Sequence, residues 1–178
     1  LLPHTHHGDR GRRLISPIRD TTGKQAMIQR IQSIYLLIST ILGVVCLSRP
    51  LGMFFSAQGV HEADLFNLWI KSAETGHLNF SPWALFALLL AVTTLTFISI
   101  FLFKHRALQM RVVTFSMILI VGYHAVLGYL VYASHANGLT FRPSLTVSFP
   151  FIAFVLDYLA YRGILKDELL IKSLDRLR

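Results

Sequence analysis

PWALFALLLAVTTLTFISIFLF, residues Pro82 to Phe103, decides the fold of this chain. It is 22 residues long and carries no charge. As an α-helix it measures about 33 Å, enough to cross a hydrocarbon core of about 30 Å. Ser81 is a suitable N-cap, and Pro82 suits the first helical turn, where its missing N–H costs nothing. Trp83 stands where an interfacial aromatic belongs, and Lys104, His105 and Arg106 close the opposite end as a block. A helix apolar all round belongs in the core of a large protein or in lipid, and 178 residues hardly supply such a core. The stretch predicts a membrane span.

Three further windows repeat the pattern. Before it, Ile31 to Ser48 is uncharged between Arg30 and Arg49, giving a span over about 31–50. Ser39 and Gly43 form a small-xxx-small pair that admits a neighbouring helix, and Cys46 reads as a small buried or lipid-facing hydrophobe. After it, KHRALQMR, residues 104–111, reads as a tight turn, followed by a span over 112–133. Ser134 to Ser144 is a short outer loop, with a turn at Asn137-Gly138 and an end at Arg142-Pro143. The fourth span covers about 145–162, with Pro150 in its first two turns. The predicted fold class is all-α integral membrane: four antiparallel transmembrane helices in a four-helix bundle, a small extracytoplasmic β-containing loop, and an amphipathic C-terminal helix.

Composition agrees. The chain is 53% hydrophobic and 15% charged, against about 25% charged in a soluble domain. Mean hydropathy is +0.55. Net charge is +8, and no base-stacking or groove-reading module accompanies it, so no nucleic acid is expected. The cations instead mark sides. Nine lysines and arginines, from Arg30 to Arg178, fall on one side of the four spans, against Arg49, Lys71 and Arg142 on the other. That asymmetry puts both termini in the cytoplasm of a multi-pass membrane protein. The lone cysteine excludes an intramolecular disulfide.

The polar segments are shorter. Residues 1–26 carry five cations and many turn formers, and read as a disordered or non-native N-terminal extension before a membrane domain over 27–178. Met27 opens a coherent amphipathic start and is a candidate initiator. His4, His6 and His7 have nothing around them to orient three rings on a metal, so no metal site is expected. The outer loop, 51–81, holds two apolar patches about a turn at Gly59, a short β-hairpin or strand pair. Residues 163–178 continue the last helix into the cytoplasm with a Leu170, Leu174, Leu177 stripe. Glu168 with Lys172 and Asp175 with Arg178 are pairs that each contribute about 0.2–0.5 kcal/mol. This helix is either a solvated extension or a docking element. Its candidate partner contacts are Lys166, Asp167, Glu168, Asp175, Arg176 and Arg178.

MIQRIQSIYLL at Met27 to Leu37, the four spans and KDELLIKSLDRLR at the end resemble an uncharacterised family of small four-helix inner-membrane proteins from Bacteroidota, a domain of unknown function. The resemblance covers Met27 to Arg178. It implies topology and bacterial origin, and no activity.

Chemistry inside the spans is sparse. Asp157 is the only acid there, and an ionisable residue within a span is a functional candidate. Tyr161 is its neighbour one turn on, and Arg162 is placed to snorkel toward it. Tyr123 and His124 are the other polar candidates. His124 is 13 residues from Arg111, about 20 Å along the helix, so a direct Asp–His relay is not expected. No second carboxylate faces Asp157, and no Gly-x-Ser-x-Gly occurs, so no catalytic residue, cofactor or enzyme activity is expected. Thr93, Thr94, Thr96 and Ser99 read as side chains bonding back to helix carbonyls. The leading function is a structural or assembly component in contact with the lipid bilayer and with a membrane-protein partner or a second copy. A small transporter or ion-conducting subunit is the alternative, and a lipid-modifying enzyme is third.

Overall fold

The computed structural model describes residues 16–175, with the side chains of 31–170, 172 and 173. Four long helices carry the chain: α1 (Ser16–Ser48), α2 (Trp83–Phe101), α3 (Arg106–Ala136) and α4 (Ser148–Asp175). Each contains a window long and apolar enough to cross a membrane. α1 packs against α2 and α4, and α3 packs against the same two, so the helices form a ring.

Three expectations are corrected at the helix ends. The tail predicted through Ala26 is helical from Ser16, and residues 1–15, with His4, His6 and His7, lie outside the described residues. Ser16-Pro17 is a helix-start dipeptide that a reading based on apolar periodicity passes over. The turn predicted over 104–111 shrinks to a 3₁₀ turn at Leu102–Lys104 and the single break at His105. Ala107, Leu108, Gln109 and Met110 are strong helix formers and open α3 instead. Ser81 is not the cap of α2. Pro82 takes that position, and the Ser81 N–H is held by Asn79 Oδ1 at 3.0 Å. Pro150 falls in the first turn of α4, where it needs no hydrogen bond.

The β-containing loop is larger than a hairpin. Strands β1 (Gly52–Phe55), β2 (His61–Leu65), β3 (Ile70–Ser72) and β4 (Leu78–Asn79) lie between α1 and α2. β5 (Thr140–Pro143) comes from the connection between α3 and α4 and completes an antiparallel sheet ordered β4-β3-β2-β1-β5. The Arg142-Pro143 dipeptide, read as the end of a loop, is therefore strand paired to Met53 and Gly52. Gly52 makes that pairing feasible: a Cβ there would stand 2.5 Å from the Phe141 ring and 2.6 Å from the Arg142 carbonyl. Turns at Gly59 (φ 79°) and Gly138 (φ 80°) adopt the left-handed backbone that glycine accepts freely.

Two cores follow. At the sheet end, Leu51, Phe54 and Leu65 pack with Cys46, Leu85, Leu89, Tyr123 and Leu127. Toward the His105 turn, Leu36, Val113, Ala160 and Ile164 pack together. The outward faces of the helices remain apolar, with Val44, Phe97, Ile118 and Val121 all exposed.

Candidate functional site

Asp157 lies fully buried between the two cores, on the inward face of α4. Its Oδ2 accepts hydrogen bonds from Ser116 of α3 at 3.0 Å and Thr96 of α2 at 3.4 Å. Ser39 of α1 flanks the same carboxyl. Its hydroxyl also lies 3.5 Å from the Ala153 carbonyl, and Asp157 Oδ1 has no hydrogen-bond partner among the described residues. Each of the other three helices thus turns a hydroxyl toward one carboxyl. The Ser39 and Gly43 pair allows this approach: Gly43 lies so close to the Thr93 side chain that a Cβ would collide with it.

A second polar cluster lies nearer the turn. Asp167 is 3% exposed, and its Oδ2 is 3.4 Å from both Gln32 Nε2 of α1 and Arg106 of α3. Gly163 opens the way for Gln32, since a Cβ would stand 2.8 Å from Gln32 Cγ. Between the clusters, Gln109 donates to the Ser99 carbonyl at 3.0 Å, while the buried Ser99 hydroxyl has no partner among the described residues.

A third cluster joins the sheet to the helices. Asn67 is fully buried after β2. It donates to the Cys46 carbonyl at 2.7 Å and accepts from the Tyr123 hydroxyl at 2.9 Å. Cys46 Sγ lies 3.6 Å from the Thr146 carbonyl. Cys46 is thus buried as expected, but hydrogen-bonded as well.

The four candidate polar residues of the apolar helices do not converge. Asp157 sits in its own cluster, and Tyr123 faces Asn67 at the sheet end. His124 Nδ1 lies 2.8 Å from the Ile120 carbonyl, and Arg162 is exposed, away from Asp157. Thr93 and Thr94 bond back to Leu89 and Leu90 as expected. Thr96 instead reaches Asp157, and Ser99 stays unpaired through its hydroxyl, which corrects that reading for both. Asp167, read as a surface contact, is an internal residue. Lys166 is exposed, and Glu168 pairs with Lys172 at 2.9 Å. The side chains of Asp175, Arg176 and Arg178 lie outside the described residues. Ser39, Ser116 and Asn67 were missed as polar partners. Asn67, a lone amide within LFNLWI, was the one with a visible signal.

Among the described residues, no group of three histidine, cysteine or carboxylate side chains is placed to hold a metal. A carboxyl ringed by hydroxyls can cross-link helices. With one oxygen unpaired, it can also take a proton or a small hard cation.

No curated protein matches the chain. One family profile does, described as a domain of unknown function and running over residues 28–177, nearly the whole described chain. On that match the chain belongs to the DUF4293 family, whose function is unknown.

Proposed function

We propose that this is a four-crossing protein of a bacterial inner membrane, with both termini cytoplasmic, that serves as a non-enzymatic structural or assembly component. The crossing is supported by four apolar windows whose outward side chains are hydrophobic. The orientation is supported by the excess of cations around the His105 turn and along α4.

The observation that carries the structural reading is how the buried polar groups are used. Asp157 is engaged by Thr96 and Ser116, Asp167 by Gln32 and Arg106, and Asn67 by Tyr123 and Cys46. Each cluster joins separate elements, which suits a rigid framework. Affinity capture from mild detergent tests the reading. A stoichiometric membrane partner or a second copy is expected, and a companionless monomer would overturn the assembly role.

A second reading, a small transporter or ion-conducting subunit, draws on the unpaired Asp157 Oδ1 and Ser99 hydroxyl. It requires that Asp157→Asn change a measurable flux in proteoliposomes. Absence of flux in the unaltered protein removes it.

A further inference from the structure

We propose that the groove between α3 and α4 near the His105 turn binds an anionic phospholipid. One acyl chain lies along Met110, Phe115, Ile118, Tyr161 and Leu165, and the phosphate sits at Arg111. The inference rests on the membrane insertion proposed above, and on none of the assembly role.

The groove has a volume of about 540 Å³ and opens on the outer face of the helix pair. Its walls run along α3 from Ala107 to Ile118. With the phosphate at Arg111, the stretch from there to Ile118 is seven residues of helix, about 10 Å, against about 15 Å for one leaflet's share of the hydrocarbon core. The groove therefore matches an acyl chain in polarity and covers the headgroup-side two thirds of its length.

A second hollow of about 360 Å³ adjoins it and shares Ala107 and Arg111. His105, Arg106 and Leu108 complete its lining. Arg106 is committed to Asp167. Arg111 is exposed and makes no ion pair or hydrogen bond through its side chain among the described residues. α3 also starts here, at His105 and Arg106, with no side-chain hydrogen bond capping its first amides. The one acid on the groove, Glu168, is held by Lys172 at 2.9 Å, which offsets its repulsion of a phosphate. The charge and the apolar trough together match a two-part ligand, an anion on a hydrocarbon tail.

The test uses the full chain, stripped of lipid in a mild detergent. Dioleoyl phosphatidylglycerol, dioleoyl phosphatidylcholine and inorganic phosphate are added separately. Native mass spectrometry and the thermal midpoint are read. Phosphatidylglycerol should be retained at a fixed stoichiometry and raise the midpoint, and the other two should not. Arg111→Gln should weaken retention about fivefold, the share of one cation near a phosphate. Thr114→Trp, which fills the groove from an exposed position, should abolish retention with helical content unchanged. Equal retention of the two lipids, unaltered binding by Arg111→Gln, or stabilisation by phosphate alone would each overturn the site. A chain that stays in water without detergent would instead overturn the membrane reading beneath it.

Discussion

Ser116 on α3 stands 3.0 Å from the Asp157 carboxylate on α4 and 2.9 Å from its own helix's Val113 carbonyl. One hydroxyl proton cannot serve both acceptors at once. The carboxyl at the centre of the helix ring therefore depends on a shared donor, and its second oxygen has none among the described residues.

Removing the donor should cost more than removing the whole cluster. Ser116→Ala leaves the buried Asp157 Oδ2 with only the longer 3.4 Å bond from Thr96, and the expected loss is about 1–3 kcal/mol. Replacing Asp157, Thr96 and Ser116 together by Leu, Val and Ala removes the carboxyl with both Oδ2 donors and leaves Ser39 its Ala153 carbonyl, so it should recover most of that loss. Denaturant unfolding in micelles measures both. A neutral Ser116→Ala would show that the 3.0 Å contact adds nothing.

The β1–β5 pairing can be broken at a single atom. Gly52→Ala puts a methyl against the Phe141 ring and the Arg142 carbonyl, so β5 must move away. The expected cost is about 1–3 kcal/mol, typical of overpacking. Hydrogen exchange should speed up at the amides of Thr140, Phe141 and Arg142 and leave α2 unchanged. Gly59→Ala meets open space and pays only for its backbone angle, so the two variants separate contact from conformation.

Arg106 and Asp167 offer a test at the turn end. Arg106→Ala strands a carboxylate that is 3% exposed, leaving Gln32 as its only partner among the described residues. Breaking a buried pair costs about 3–5 kcal/mol, and the partly exposed arginine places this one at or below the lower end. Arg106→Leu with Asp167→Leu should be nearer to neutral. If the single variant is as stable as the double, the pair is a surface ornament and Asp167 is solvated.

These relationships were unequally legible. The four helices could be read because hydropathy is local: a window such as Pro82 to Phe103 contains its own argument. β5 could not, because the strand exists only through its register with Gly52, which lies in another loop. Asp157 stood out as a charge in an apolar run. Its partners did not, since Thr93, Thr94 and Thr96 are chemically alike and differ only in the direction they face. Asp167 was misread for the opposite reason. KDE looks solvated, and burial there depends on Gly163 letting Gln32 come close.

The sheet is anchored through Asn67, and the anchor can be followed at the one cysteine. Tyr123→Phe keeps the ring and removes the hydroxyl that donates to Asn67 Oδ1 at 2.9 Å. A fully buried amide oxygen is then unpaired, and the expected destabilisation is about 1–3 kcal/mol. Asn67→Ala also frees the Cys46 carbonyl at the end of α1 and should cost at least as much. In both variants the sheet end should open more often. Cys46, fully buried in the intact protein, should then react faster with a small maleimide. Ser116→Ala serves as the control, because it destabilises the helix ring away from the sheet. Faster labelling in Asn67→Ala and Tyr123→Phe than in Ser116→Ala locates the opening at the sheet end. Equal rates in all three would mean that the sheet and the helices unfold as one unit, and that Asn67 is no separate hinge between them.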